Sequence, residues 1–456
     1  MPTDQARKLA QPPRVRAARA PVAARDREDH SHASALRRWW SRLGAGLITG
    51  ASDDDPSGIA TYSQAGAQFG YQLAWTMLFT YPLMVVIQDI SARIGRVTGQ
   101  GIAGNLRQHY PSWVLQPIIW LLFIANTLNI GADLGAMAAG VRLLVPTLPG
   151  SVWIVLFGLA CTVTPIVLSH RLYVGVLKWL TLVLLSYFGV LAVVDVNWAD
   201  VARAVIIPRW SFHAEFWLMV VAILGTTISP YLFFWQAGQE VEDTKAHPRQ
   251  LPLRREPSQG PSELSRIRWD TVVGMGFSNL VGLAILISTA STLRGARIEE
   301  VQTAAQAARA LRPLAGEAAS ALFALGIVGT GLLSVPVLAG SAAYALGEAR
   351  RWRVGLARNP LKAKAFYATI ALATFLGALA NVAAINPMKA LLCAAVLNGI
   401  VAVPVMALLL RMAANRKIMD RFVVAGQWLL LGWIATIVMG VATIGWLFSV
   451  VAARIT

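Results

Sequence analysis

With 56% hydrophobic and 14% charged residues over 456 positions, and a mean hydropathy of +0.56, the chain is too apolar for a soluble protein of its length. A net charge of +17 would suit nucleic acid, but the basic residues alternate with apolar runs of ~20 residues and form no face of their own, so the charge reads as membrane topology. Cys161 and Cys393 both sit inside apolar runs, which argues against a disulfide scaffold or a structural zinc site.

Residues 1–42 hold ten Lys or Arg, several prolines and no apolar core, the composition of a disordered cytosolic tail. Apolar runs follow at about 43–68, 72–92, 112–141, 150–169, 173–195, 214–240, 270–292, 316–346, 365–384, 387–410 and 425–451, which predicts eleven membrane spans. With the N-terminus inside, 31 of the 40 Lys and Arg fall in internal segments, as expected for a chain inserted in that orientation. The linker from about His247-Pro248 to Gly260-Pro261, polar and rich in Pro and Arg, reads as a cytosolic join, and the Ala-rich segment 295–313 as a short amphipathic surface helix.

The first and sixth runs are broken. In the first, Asp53, Asp54, Asp55, Pro56 and Gly58 interrupt the apolar pattern; in the sixth, Gly225, Thr226, Thr227, Ser229 and Pro230 do so. Carboxylates at membrane depth are expensive and normally face a water-filled path or a ligand, and proline removes a backbone donor beside them. The breaks fall in spans one and six, an odd offset of five, so spans one to five (43–195) and six to ten (214–410) read as an inverted repeat, with span eleven (425–451) added. Paired interruptions of this kind mark a transporter's binding site.

Around these breaks the chain resembles a known family. The stretch from Gly46 to Tyr62, the Asp133-Leu134-Gly135 region, the stretch from Gly225 to Tyr231 and the run Asn415-Arg416-Lys417-Ile418-Met419 look like the Nramp family of divalent-metal transporters. The resemblance implies an all-α membrane protein with the LeuT-type five-plus-five fold and an eleventh helix. It also implies a metal site between the two broken helices and, usually, proton coupling. Where the family carries Asp-Pro-Gly-Asn, this chain has Asp55-Pro56-Ser57-Gly58; where it carries Met-Pro-His, this chain has Ser229-Pro230-Tyr231. The acid is kept, while an amide, a thioether and an imidazole are lost.

Thioether sulfur favours softer metals, whereas carboxylate, hydroxyl and carbonyl oxygens suit magnesium, calcium or manganese. The expected substrate site is therefore Asp55, the Ser229 hydroxyl and freed carbonyls near Ser52 and Thr226, with Gly58 leaving room for a hydrated ion. Asn398 and Tyr231 are further candidates. Asp53 and Asp54 are read either as lining an access path or as solvated at the break. By resemblance Asp133 matches a proton-pathway acid; its alternative is a buried acid paired with Asn129 or Lys178. Ala136 stands where the family carries a further acid, which with Tyr231 weakens the expectation of proton coupling.

Blander readings stand beside these. Asp55 can cap the following helix, Ser229 can bond back to its own helix, and Thr226 and Thr227 can satisfy carbonyls freed by Pro230. Gln236, Gln239 and Glu240 read as a solvated inner helix end, with lining of an inner vestibule as the alternative. No nucleophile elbow, zinc-protease helix or phosphate-binding loop is present, so neither an enzyme, a cofactor nor ATP-driven transport is expected. The expected partners are the metal ion as substrate and the lipid bilayer of a bacterial-type inner membrane, with no nucleic acid and a monomer sufficient. Two rival functions remain open: a transporter of a small organic solute on the same fold, and a membrane metal sensor that binds without transporting.

Overall fold

Proline at the first position of a helix costs no hydrogen bond, because that N–H has no intrahelical partner, and both breaks use it. The computed structural model describes residues 45–167, 184–211, 213–247, 250–294, 300–381 and 386–455. In it the first apolar run is two helices, α1 (Ala45–Asp53) and α2 (Pro56–Phe69), and the sixth is α9 (Ala214–Thr227) and α10 (Pro230–Ala246). Between them lie α3 (Trp75–Thr98), α4 (Ile102–His109), α5 (Ser112–Arg142), α6 (Gly150–Val167), α7 (Ser186–Val193) and α8 (Trp198–Ile206). After them come α11 (Gly260–Thr292), α12 (Ala304–Ala308), α13 (Arg312–Ala315), α14 (Ala319–Ala349), α15 (Lys364–Ala380), α16 (Pro387–Ala413), α17 (Arg416–Met419) and α18 (Gln427–Ile455).

Among the described residues, eight helical stretches are long and apolar enough to cross a membrane, against eleven apolar runs in the sequence. The difference has physical causes. The first run is split into helices of 9 and 14 residues, and α15 has only 17. Span five is described from residue 184 onward; its start, Lys178 and the tail of residues 1–42 lie outside the described residues.

The two broken helices are held by different neighbours. Helices α1 and α2 pack on α11, whereas α9 crosses α16 and α18, and α10 lies between α3 and α14. Helix α5 packs against α14, α15 and α16. Small residues permit the closest crossings, as in other membrane bundles. A Cβ on Gly225 of α9 would lie 2.0 Å from the Ala395 carbonyl oxygen and 2.5 Å from the Gly399 nitrogen of α16, so the two backbones touch directly.

One helix starts earlier than its sequence reading. The span read as 270–292 begins as α11 at Gly260, where the polar join ends, because the charged residues of its first turns find partners within the fold. Arg266 pairs with Glu240 at 2.6 Å and with Glu263 at 3.0 Å, and the buried Arg96 reaches Glu263 at 3.4 Å and the Thr244 hydroxyl at 2.5 Å. The Ala-rich segment forms the short helices α12 and α13, amphipathic as expected, with one side exposed and the apolar side docked. Ala304, Ala307, Ala308, Ala310 and Leu311 are buried, and the preceding Val301 N–H donates to Gln64 of α2 at 2.7 Å.

The ends of α3, α10 and α14 gather on one face with most of the described basic residues. There the Glu348 carboxylate clamps the start of α4, accepting from the Gly101 and Gly104 N–H groups at 2.9 Å each. Removing a charged acceptor from two amides costs about 1–3 kcal/mol, so Glu348→Ala is expected to lower the melting temperature in detergent; an unchanged melt would show the clamp to be idle. On the opposite face a cavity of 380 Å³ lies between α2, α9 and α16, lined by Gln64, Gln68, Glu215, Glu300 and Lys389 among others.

Candidate metal site between the two breaks

Asp55 is the residue on which both breaks converge. Its backbone is extended (φ −68°, ψ 171°), and Oδ1 caps α2, accepting from the Gly58 N–H at 2.8 Å and the Ser57 hydroxyl at 2.5 Å. Oδ2 is held more loosely. It accepts from Asn129 Nδ2 of α5 at 3.2 Å and lies 3.3 Å from the Tyr231 hydroxyl of α10. A carboxylate offers about four lone-pair sites; the two on Oδ1 hold the helix, and the two on Oδ2 meet exchangeable donors. Oδ2 is therefore the less tightly held of the two oxygens.

Tyr231 bridges the two breaks. Its hydroxyl also donates to the Ser52 carbonyl at 2.9 Å, and its one hydrogen cannot serve Ser52 and Asp55 together. The phenol is thus a polar part of the site and not a packing aromatic alone. On the same break, Pro230 cannot donate to the Thr226 carbonyl. The Ser229 hydroxyl covers that loss, lying 3.0 Å from the Thr226 oxygen and 2.8 Å from the Gly225 oxygen. Its hydrogen is committed to its own helix, but its oxygen lone pairs are not.

Gly58 and Thr226 come together from opposite breaks. A Cβ on Gly58 would lie 3.1 Å from Thr226 Oγ1 and 3.3 Å from the Asp53 carbonyl oxygen, so glycine leaves this gap clear. Thr226 Oγ1 is buried with no hydrogen-bond partner in the protein, and so are both side-chain atoms of Asn398. Asn398 adjoins Gly399, which packs against α9, but it forms no bond with the other candidates. These uncommitted oxygens suit a hard cation: the C-terminal ends of α1 and α9 add partial negative charge, and Asp55 adds a full one. No described Lys or Arg forms an ion pair with Asp53, Asp54, Asp55 or Asp133.

Asp53 and Asp54 do not line an open path, nor are they solvated. They are 1% and 0% exposed and face the Ser278 hydroxyl of α11, at 2.8 Å from Asp53 Oδ2 and 3.3 Å from Asp54 Oδ1. Asp133 is fully buried on α5, but its partner is the Ser334 hydroxyl of α14 at 2.9 Å, because Asn129 turns to Asp55 instead. The reading of α10 as a solvated helix end is also corrected. Gln236 takes a bond from Gln88 at 2.5 Å and donates to Thr271 at 3.1 Å, Gln239 donates to Tyr344, and Glu240 is 1% exposed against Arg266. Among the described residues no group of three or more His, Cys, Asp and Glu is placed to hold one metal ion.

The sequence profile of the natural resistance-associated macrophage protein-like family matches residues 46–449, almost the whole described chain. The chain belongs to the Nramp family. Among solved structures, a manganese transporter from Eremococcus coleocola, in complex with an aromatic bis-isothiourea substituted compound, is similar at 19% identity and a TM-score of 0.67, over 90% of this chain and 87% of that one. The nucleobase-cation-symport-1 family transporter Mhp1, closed around bromovinylhydantoin, matches at 14% identity and a TM-score of 0.51, over 89% of this chain and 92% of that one. At such identities the likeness establishes the shared LeuT-type fold. Within that Nramp framework, the residues that sequence reasoning had not placed at the site are Asn129 as a partner of Asp55, Ser278 and Ser334. Each is a polar residue within an apolar run, a signal visible in the sequence but without a direction.

Proposed function

We propose that this Nramp protein imports a hard divalent cation, Mg²⁺ or Mn²⁺, by alternating access. The observation that carries this reading is Asp55 Oδ2: a buried carboxylate oxygen at the junction of both breaks, without a cationic side chain and held by two long bonds. The family supports a divalent metal as substrate, and the manganese transporter of similar fold agrees with it. In this reading Asp55 supplies the charge, with the Ser229 and Thr226 oxygens and the carbonyls of the breaks replacing part of the hydration shell. Magnesium keeps several waters, which suits a site where Gly58 replaces an amide ligand.

The remaining parts follow from the same reading. Residues 43–195 and 214–410 form the inverted repeats, 425–451 the added helix and 1–42 a cytosolic tail. The basic face is cytoplasmic in a bacterial-type inner membrane, and the cavity lined by Glu215 and Glu300 opens on the other side. Asp133 is the acid placed to hold a proton, one turn from Asn129 on α5. Tyr231 replaces an imidazole, and proton coupling is accordingly left to measurement.

Influx of Mg²⁺ and Mn²⁺ into proteoliposomes carrying an internal pH dye tests the whole reading. Uptake with acidification means a coupled importer, and uptake without it an uncoupled one. No uptake by folded protein would favour an organic solute or a sensor. A ligand-level prediction accompanies it. Ser229→Met adds a thioether, so it is expected to raise affinity for Mn²⁺ or Cd²⁺ relative to Mg²⁺; an unchanged ratio in binding titrations would remove Ser229 from the ligand set.

A further inference from the structure

We propose that Asp53 and Asp54, with the hydroxyls of Ser278 and Tyr62, form a second subsite for a hard divalent cation, separate from the one at Asp55. The proposal rests on the reading of the chain as a divalent-cation transporter and adds an ion to it. Consecutive residues where α1 ends carry these two carboxylates, and their hydrogen-bond partner lies on a different helix from those of Asp55. Asp55 meets α2, α5 and α10, whereas Asp53 and Asp54 meet α11.

The local chemistry is short of positive charge. Two buried carboxylates face the single hydrogen of Ser278, which can serve only one of them at a time. Asp53 Oδ1 and Asp54 Oδ2 have no hydrogen-bond partner in the protein. Leaving such groups buried and uncompensated is costly.

Tyr62 is the independent pointer. It is 0% exposed and its hydroxyl has no partner in the protein. A Cβ built on Gly282 would lie 2.9 Å from the Tyr62 ring carbon that carries the hydroxyl. Gly282 is one helical turn from Ser278 on α11, so the phenol is brought against the same helix face as the shared hydroxyl. Together these groups offer only oxygen, from two carboxylates and two hydroxyls, the donor set of a small divalent cation and not of a soft metal.

Counting bound Mn²⁺ by equilibrium dialysis on the full chain in detergent, with Mg²⁺ as competitor, tests the proposal. Two ions are expected for the wild type, one for the Asp53→Asn/Asp54→Asn double variant and one for Asp55→Asn. Ser278→Ala keeps both carboxylates and guards against a double variant that fails to fold. It is expected to bind the second ion about tenfold more weakly, the scale of one lost hydrogen bond to a charged group.

One ion in the wild type, unchanged in the double variant, would overturn the subsite and leave Asp55 untouched; the two acids would then share a proton. Two ions in Asp55→Asn would keep the subsite and overturn the role given to Asp55. Saturation by Na⁺ without Mn²⁺ binding would overturn the divalent assignment.

Discussion

Asp55→Ala is expected to abolish Mg²⁺ and Mn²⁺ uptake, and Asp55→Asn to do the same while leaving the protein better folded. Asp55 has two separable duties. Oδ1 caps α2 through the Gly58 N–H and the Ser57 hydroxyl, and Oδ2 faces the junction of the two breaks. Alanine removes both, and loss of the cap alone costs about 0.5–2 kcal/mol. Asparagine keeps an oxygen acceptor for the cap and removes the charge. Uptake assays paired with melting curves separate the two: loss of uptake in both variants, with a lowered melt chiefly in Asp55→Ala, is the expected pattern. Uptake at wild-type rates in Asp55→Asn would show that the charge on Asp55 is not required.

The second large effect is structural. Gly225→Ala is expected to leave little folded protein in the membrane, because its Cβ would be driven into the backbone of α16 at Ala395 and Gly399. Overpacking a core usually costs about 1–3 kcal/mol, but here the obstacle is main chain at both contacts and cannot rotate aside. Helix α9 would have to move, and the Thr226 and Ser229 oxygens with it. Two other glycines grade the effect. A Cβ on Gly399 meets the Val221 carbonyl oxygen at 2.9 Å, which predicts a milder loss, and one on Gly440 meets only a Val403 methyl at 3.8 Å, which predicts none. Yield of monodisperse protein should fall in the order Gly440→Ala, Gly399→Ala, Gly225→Ala. Equal yields would mean that α9 and α16 separate easily.

The breaks were readable before any coordinates because Pro56 and Pro230 with polar neighbours disrupt apolar runs, and a hydrophobic pattern registers disruption well. The same logic led to Asp55, Thr226 and Ser229. What the pattern lacks is direction. Asn126, Asn129 and Asp133 recur on neighbouring turns of α5, yet Asn129 turns to Asp55, 74 residues away, and leaves Asp133 to Ser334. Glu240 looked like a solvated helix end because a charge lowers local hydropathy whether or not it is paired. Its partner Arg266 lies 26 residues downstream and becomes a neighbour only when α10 and α11 pack. Ser278 carried no charge or proline to distinguish it from the many hydroxyls that bond back to their own helix.

The ion pairs of Arg96, Glu240, Glu263 and Arg266 have a kinetic meaning beyond holding helix ends together. In the proposed cycle, opening the basic face requires α3, α10 and α11 to separate where these pairs join them, whereas the cavity near Glu215 and Glu300 is already formed. Loosening these four side chains is therefore expected to change how often the molecule opens on the basic face, and not which ion it holds.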